Sequence, residues 1–255
     1  MTPARLYIVG TDTEVGKTTV TAALARAYTR QQAVVLPFKP AQSGTTTDPT
    51  GAPSTDAEQL AAAAGLAPNH ARAIAPHRYP EPFAPGLLHD ATPFVDTGAI
   101  DAAPLRHAMH ALEQLERALR PRITLLEGAG GWWVPMPGGG WQPDWVRAIT
   151  PNVLVVARPG LGTINHTLLT LRAIAHEGLH PRGFVFSSPT PIPRLVLRQN
   201  AAVIQQASGR PYLGHLNEHQ RWEDPLPVPQ NEPDALTPAP AAAPPPALLD
   251  VLAAL

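Results

Sequence analysis

Short runs of apolar residues recur along the chain in a pattern typical of buried strands. Each run has three to six residues and is bounded by polar residues, glycine or proline, which interrupt regular structure. The runs occupy residues 6–9, 33–36, 123–126, 152–157, 183–186 and 212–214. Because they are almost continuously apolar, they predict strands that are covered on both faces of a sheet.

Between these runs, apolar residues recur every three or four positions, which predicts amphipathic helices. One helix follows Lys17, and a second covers residues 56–64, with an N-cap from Ser54 or Thr55. Further helices are predicted at residues 102–119, from Thr163 or Asn165 to about residue 177, and at 194–207. This alternation of strand and helix predicts an α/β fold, in which helices flank both faces of a mainly parallel sheet.

The segment between the first strand and the first helix predicts a phosphate-binding loop. Gly10 opens it, and Gly16, Lys17 and Thr18 close it at the start of the helix. Five residues separate Gly10 from Gly16, where the general motif has four. The alternative is an ordinary turn between strand and helix. The flanking pattern favours a nucleotide site, in which Lys17 meets the outer phosphates and the Thr18 hydroxyl ligates Mg²⁺.

Lys39 and Ser43 follow the second predicted strand, at the edge of a parallel sheet where ligands bind. Position alone favours a solvated loop lysine for Lys39.

Asp56 begins a predicted helix, and its simplest role is to complement the helix dipole. Glu127 ends an apolar strand and precedes the glycine-rich residues 128–131. Beside a phosphate loop, this favours Mg²⁺ coordination by Glu127 over a carboxylate that faces solvent.

Three further features are candidate sites. The predicted helix start around Gly162 offers unpaired backbone N–H groups to an anion such as a carboxylate. His107 and His110 lack nearby ligand partners and are interpreted as surface histidines. Residues 215–219 have the wrong spacing for a zinc-protease motif and are interpreted as loop. Residues 68–101 are rich in proline and are expected to be irregular.

Composition narrows the functional class. The chain has 255 residues, enough for one large domain, and its formal net charge of −1 gives no basic field for nucleic acid. It has no cysteine, which excludes disulfides and thiolate metal sites. No apolar run suits a signal peptide or a membrane span, so the sequence predicts a cytoplasmic protein that binds neither nucleic acid nor membrane.

Prolines mark a change near residue 225. The chain has 32 of them, and residues 225–255 combine proline with alanine. We therefore expect a catalytic P-loop domain over residues 1–224, followed by a tail. The composition leaves open whether the tail is poorly ordered or packs as a short final helix.

These motifs together resemble the dethiobiotin synthetase family, over about residues 6–216. The phosphate loop matches that family's longer form, including the additional residue. The other matching segments, in order, are Lys39-Pro40, Gln42-Ser43-Gly44, Asp56, Glu127-Gly128-Ala129-Gly130-Gly131-Trp132, Asp144-Trp145-Val146 and Leu161-Gly162-Thr163-Ile164-Asn165-His166.

The resemblance implies a reaction and its components. Carbon dioxide or bicarbonate would carboxylate 7,8-diaminononanoate, and ATP with Mg²⁺ would drive closure of the cyclic urea of dethiobiotin. A homodimer is implied, with the substrate site at the subunit interface.

The resemblance also implies roles for individual residues. Lys17 and Lys39 would be catalytic, and Thr18, Asp56 and Glu127 would ligate Mg²⁺, which replaces the dipole role for Asp56. The substrate would contact Thr13, Lys39, Ser43, Gly162, Thr163 and Asn165. The nucleotide would contact Glu14, Val15, Gly16, Lys17, Thr18, Thr19, Asp56, Glu127, Gly128, Ala129, Gly130 and Ser187.

Two rival classes share features of this sequence, and two positions depart from the dethiobiotin synthetase pattern. A switch ATPase of the ParA/MinD type carries a signature lysine early in its loop, where this chain has Asp12. An amide-forming synthetase of the cobyrinate type would need a glutaminase cysteine, which the chain lacks. Ser187 stands where the dethiobiotin synthetase family commonly has an Asn that reads adenine, and Asn217 departs as well. The sequence therefore leaves base preference open.

Overall fold

The computed structural model describes residues 3–45, 55–89, 101–217, 219 and 222–223. In these ranges nine strands occur: β1 (Ala4–Gly10), β2 (Val35–Phe38), β3 (Ala41–Gln42), β4 (His77–Arg78), β5 (Ile123–Glu127), β6 (Asn152–Ala157), β7 (His180–Ser187), β8 (Tyr212–Leu216) and β9 (Trp222–Glu223). The helices of the same ranges are α1 (Lys17–Arg30), α2 (Asp56–Ala63), α3 (His70–Ala73), α4 (Pro85–His89), α5 (Ala103–Leu119), α6 (Gln142–Ile149), α7 (Thr163–His176) and α8 (Arg194–Ser208).

Seven strands form one sheet in the order β2-β5-β1-β6-β7-β8-β9, and β3 pairs with β4 in a small separate sheet. Pairing in the large sheet is parallel except between β8 and β9. The chain moves outward from β1 to β2, returns to β5, and then advances through β6, β7 and β8 in the opposite direction. Because such crossovers are right-handed, this reversal places helices on both faces of the sheet. The predicted fold class is confirmed.

The central strands are buried along their length, as expected of a sheet with helices on both faces. Every residue of β5 is buried, and so are Leu6 to Gly10 of β1. The large side chains of Tyr7, Phe38, Phe184 and Phe186 are completely inaccessible. The strand carboxyl ends that carry the predicted site residues are therefore anchored in the core.

One predicted helix cap is confirmed and another is wrong. At α2, Thr55 is the N-cap and forms a capping box with Glu58, as expected, while Ser54 lies outside the described residues. At α7, the predicted caps Thr163 and Asn165 are wrong. Gly162 is the N-cap at a φ of 90°, and no side chain caps the helix. The positive φ suits glycine, which has no Cβ to clash with the backbone.

Two loop predictions are corrected as well. Residues 68–101 contain α3, β4 and α4, although residues 90–100 lie outside the described ranges. Residues 215 and 216 belong to β8, because they pair with β7 and β9. The second strand begins at Val35, two residues later than predicted, because the backbone N–H of Ala33 still bonds to Tyr28 at the end of α1.

A histidine cluster connects β4 to α4 and α5. The buried His77 donates its Nε2–H to the Pro104 carbonyl at 2.9 Å. Its ring lies 5.9 Å from that of His89, 5.2 Å from that of His107 and 5.8 Å from that of Trp145, edge to face in each case. Burial lowers the pKa of His77; the Pro104 hydrogen bond opposes this, and the two neighbouring histidines add to it.

Candidate functional site

The phosphate loop connects the central strand to α1 in a conformation that depends on glycine. A Cβ on Gly10 would lie 2.6 Å from the Asp12 carbonyl oxygen and 2.9 Å from Lys17 Nζ, so a side chain cannot fit there. Gly16 is the N-cap of α1 with a φ of 93°. The Lys17 ammonium donates to the Asp12 carbonyl at 2.9 Å, across the loop. Together these place Lys17 beside unpaired backbone N–H groups, which is an anion site.

Lys39, which follows β2, is the centre of a charged cluster. Its ammonium donates to Glu127 Oε1 at 2.6 Å and also contacts the carboxylate of Asp56. Only 5% of Lys39 is exposed, so the solvated loop lysine of the sequence analysis is wrong. Burial favours proton loss from Lys39, but the charges of Glu127 and Asp56 outweigh burial and raise its pKa. Lys39 is therefore a permanent cation at neutral pH.

Glu127 joins this cluster to the phosphate loop. Glu127 is completely buried, so the alternative of a carboxylate that faces solvent is wrong. Its Oε1 accepts a hydrogen bond from the Thr18 hydroxyl at 2.8 Å. Its other oxygen, Oε2, is buried without a hydrogen-bond partner among the described residues. A buried carboxylate oxygen without a donor is unfavourable unless a cation or water satisfies it. Glu127 Oε2 can therefore accept a further ligand, such as a cation or a water molecule.

The glycine-rich turn after Glu127 is held by a side chain from α6. Gln142 is completely buried; its Oε1 accepts the backbone N–H of Ala129 at 2.8 Å, and its Nε2 donates to the Gly131 carbonyl at 2.7 Å. A Cβ on Gly128 would lie 2.6 Å from this same Oε1. The amide therefore fixes the turn, and the turn admits only glycine at position 128.

A cavity of about 830 Å³ opens in front of these groups, a volume within the usual range of small-molecule sites. The phosphate loop, the charged cluster and the glycine-rich turn all contribute to its walls. Lys17 is largely buried beside it. Burial lowers the pKa of Lys17 to about 8, and the neighbouring Glu127 opposes this shift.

The described residues offer few ligands for a metal. They contain no cluster of three or more His, Cys, Asp or Glu that could hold one. At a phosphate site, Mg²⁺ is commonly held by one or two carboxylates together with substrate phosphates and waters. The Thr18 hydroxyl and the carboxylates of Asp56 and Glu127 meet this requirement. The unpartnered Oε2 of Glu127 also fits a cation.

Most of the chain is similar to known proteins. The model of a family described as "AAA domain" matches residues 4–225. The ATP-dependent dethiobiotin synthetase of Anaeromyxobacter dehalogenans is 38% identical over 83% of this chain and 88% of the relative. That of Saccharopolyspora erythraea is 38% identical over 84% and 87%. That of Escherichia coli O157:H7 is 33% identical over 73% and 79%.

The chain belongs to the dethiobiotin synthetase family. The resemblance inferred from the motifs is therefore confirmed at the level of the family.

Two solved structures are more distant. Chloroplast FtsY of Physcomitrella patens has a TM-score of 0.48 at 15% identity, over 84% of this chain and 58% of that chain. The MinC:MinD complex of Aquifex aeolicus has a TM-score of 0.48 at 12% identity, over 84% and 81%. In the part of the chain that the structure describes, no helix has the length and apolar character of a membrane span.

The structure brings most of the residues predicted from the dethiobiotin synthetase resemblance to one place. The cavity wall includes Thr13, Glu14, Gly16, Lys17, Thr18, Thr19, Lys39, Ser43, Asp56, Ala129 and Gly130. Glu127 lies behind them, through its bonds to Thr18 and Lys39. The roles assigned to these residues stay predictions.

Other predicted residues lie outside this wall. Val15 is buried beneath the loop. Ser187 ends β7 and adjoins the loop, since a Cβ on Gly16 would lie 2.3 Å from its hydroxyl. Thr163 is buried and hydrogen-bonds to Thr167, while Gly162 and Asn165 are exposed at the start of α7. None of Gly162, Thr163 and Asn165 is among the described residues that line the cavity.

Part of the cavity wall was not predicted from the sequence. The missed lining residues are Asp12, Ala41, Gln59, Pro82, Phe83, Ala84, Pro85, Gly131, Trp132, Trp133 and Val134. The support from Gln142 was also missed. Segments 82–85 and 132–134 reach the cavity because Gly86 donates its backbone N–H to the Pro135 carbonyl at 2.9 Å. That contact joins distant parts of the chain, and no local pattern indicates it.

Proposed function

We propose that this protein carboxylates 7,8-diaminononanoate and closes the ring to form dethiobiotin, using ATP and Mg²⁺. Its relatives are ATP-dependent dethiobiotin synthetases. The observation that carries the proposal is the position of Lys39, a buried cation bonded to Glu127 and Asp56 beside the phosphate loop. A reaction between a carbamate and a phosphate joins two anions, and such a reaction needs cations between them.

The reaction has three steps. One amine of the substrate adds to carbon dioxide and loses a proton, which gives a carbamate. A carbamate oxygen attacks the γ-phosphorus of ATP and ADP leaves. The second amine then attacks the carbonyl carbon, phosphate leaves with its oxygen, and loss of a proton completes the cyclic urea.

Lys17 and Lys39 support different steps of this reaction. Lys17 projects from the phosphate loop, where it offsets the charge of the outer phosphates. Lys39 keeps its proton because of its two carboxylate partners, so it acts as a fixed charge and not as a base. A fixed cation beside the phosphate loop lowers the repulsion between the carbamate and the γ-phosphate as they approach each other.

Thr18, Asp56 and Glu127 would hold Mg²⁺. When bound, Mg²⁺ neutralises phosphate oxygens as charge develops on them. The hydroxyl of Thr18 and both carboxylates already converge through hydrogen bonds to Glu127 and Lys39, which supports this assignment.

We further propose that Thr13 and Ser43, which line the cavity, hydrogen-bond the carbamate. The exposed start of α7, at Gly162 and Asn165, would bind the substrate carboxylate of a partner subunit in a homodimer. A requirement for ATP is consistent with the cytoplasmic location predicted from the sequence.

Labelled bicarbonate tests the proposal. With the diamine and MgATP, the purified protein should transfer label to an acid-stable product in amounts equal to the ADP formed. Without the diamine, no acid-stable label should appear. ATP hydrolysis that never fixes carbon would refute the proposal and favour a nucleotide-dependent switch.

A further inference from the structure

Two large aromatic side chains on the cavity wall are unusually exposed. Phe83 is 61% exposed and Trp133 is 54% exposed, and both line the cavity. Exposed apolar surface that is grouped at a pocket is a common sign of ligand binding, because water is displaced when the ligand arrives. Neither ring contributes to the buried core, so packing alone does not account for them.

The segments that carry these rings are fixed in place. Trp133 packs edge to face against Trp141, with ring centroids 6.0 Å apart and an interplanar angle of 84°. Trp141 is the N-cap of α6, and its backbone N–H donates to Asp144 Oδ2 at 2.9 Å. The hydrogen bond from Gly86 to Pro135 joins the segment after Phe83 to the segment after Trp133. The apolar wall is thus preorganised.

The cavity therefore has two chemically distinct groups of lining residues. Lys39 and Asp56 belong to the hydrogen-bonded charged cluster, and Lys17 lies on the adjoining phosphate loop. Residues 82–85 and 132–134 present proline, alanine, valine and aromatic side chains. A ligand that matches both groups carries reactive polar atoms at one end and a hydrocarbon chain beyond them. A nucleotide alone does not have this character.

We propose that Phe83 and Trp133 bind the hydrocarbon chain of the diamino acid. This inference rests on the proposed function, in which the diamine end reacts beside Lys39. The chain between the diamine and the carboxylate would lie on the two rings. Removal of either ring should then weaken binding of the diamine without affecting the phosphate loop.

Steady-state kinetics test the assignment. Phe83→Ala and Trp133→Ala should each raise KM for the diamine about tenfold, the effect expected when one or two methylene contacts are lost. The values of kcat and of KM for ATP should stay within about twofold of the wild type. Trp133→Phe, which keeps an aromatic surface, should recover most of the loss. Val203→Ala is the matched control, because Val203 is an exposed apolar residue on α8, outside the cavity wall.

Three outcomes would overturn this proposal. The diamine KM could stay unchanged in both alanine variants, or the KM values for diamine and ATP could rise together. Weakened self-association with an unchanged diamine KM would instead assign the rings to a subunit contact. A wild-type protein that fixes no carbon would refute the proposed function itself, and that result is distinct from all three.

Discussion

At the scale of single residues, Lys39 is the centre of the buried charged cluster. It is the cation that two carboxylates share, and one of them, Glu127, is completely buried. Breaking a buried ion pair leaves a charge without compensation, which is more unfavourable than replacing both partners. Lys39 is therefore expected to affect stability as well as the proposed reaction, and the two effects can be measured separately.

Lys39→Gln should reduce dethiobiotin formation by at least about 10²- to 10³-fold, because a preorganised charge at the reacting atoms is lost. ATP affinity, measured by calorimetry in the presence of Mg²⁺, should change by only a few fold, since Lys17 and the loop N–H groups remain. Lys17→Gln is the comparison variant and should lose nucleotide binding. If Lys39→Gln lost ATP binding to the same extent, its assigned role would be wrong.

The same substitution should lower the free energy of unfolding of the ligand-free protein by about 3–5 kcal/mol, because the Glu127 carboxylate stays buried without its cation. The double variant Lys39→Gln with Glu127→Gln should recover part of this loss, since no uncompensated charge remains. Denaturant unfolding of the three proteins measures the effect. Equal stability of the single and double variants would contradict the argument.

Gly16→Ala should abolish ATP binding and destabilise the protein by about 2–3 kcal/mol. Its φ of 93° is strained for alanine, and the new Cβ would meet the Ser187 hydroxyl at 2.3 Å. Gly178→Ala separates the two causes, because Gly178 has a φ of 72° but no heavy atom within 4 Å of an added Cβ. We expect a loss of about 1 kcal/mol for Gly178→Ala, with ATP binding intact.

Several residues of the candidate site were predictable because they belong to one local motif. Gly16, Lys17 and Thr18 lie in a single turn, and their spacing alone indicates that turn. Lys39 and Asp56 were ambiguous from position alone, because burial and pairing with Glu127 arise only when β2, α2 and β5 come together. No sequence pattern indicates that Phe83 and Trp133 line a cavity, because their exposure there depends on the tertiary structure.

At the scale of elements, the histidine cluster couples β4 to α4 and α5. His77 faces the imidazoles of His89 and His107, the ring of Trp145 and the Pro104 carbonyl. The phenol of Tyr79 in turn contacts His89 Nδ1 at 2.9 Å. Because α4 begins at Pro85, a residue of the cavity wall, these packing contacts also support that wall.

The cluster should make stability depend on pH. The pKa of His77 is lowered in the folded protein, so the unfolded chain binds a proton first as the pH falls through about 6.5. Stability should therefore be complete above that pH and decrease below it. His77→Asn should flatten the dependence in denaturant unfolding between pH 7.5 and 5.5. His110→Asn, at an exposed position on α5, should leave it unchanged; equal slopes in all three proteins would exclude His77 as the cause.

Long elements were easier to predict than short ones. The helix predicted at 102–119 is α5, within one residue, because its apolar stripe persists over several turns. The two-residue strands β3 and β4 have no periodicity to detect; they exist because Ala41 and Gln42 pair with His77 and Arg78. The α7 cap was misassigned because two capping side chains follow a glycine whose backbone angle the sequence does not specify.

At the scale of the whole molecule, the reversal of strand order around β1 positions the site. β5 and β6 flank β1, so the ends of these three strands meet at one edge of the sheet. Ligands of open α/β sheets bind at such a reversal. The alternation of strands and helices predicted the fold class, but the order of the strands follows from long-range pairing, which no single segment encodes.

A chain that ends after residue 224 should retain carbon fixation within about twofold of the full-length rate. The matched family model ends at residue 225, which supports a catalytic unit without the segment that follows. The labelled-bicarbonate assay and the thermal midpoint of both chains measure the effect. A truncated chain that stays folded but loses activity would show that the C-terminal segment contributes to the site.

The amide of Gln142 has a consequence for protein engineering. Transplanting the pentapeptide Glu127-Gly128-Ala129-Gly130-Gly131 into another scaffold would not by itself reproduce this turn, because its shape depends on two bonds from a helix eleven or more residues downstream. A successful graft needs a glutamine delivered from outside the copied peptide. Conversely, Gln142 offers a single position from which the turn can be loosened without substituting any residue that lines the cavity.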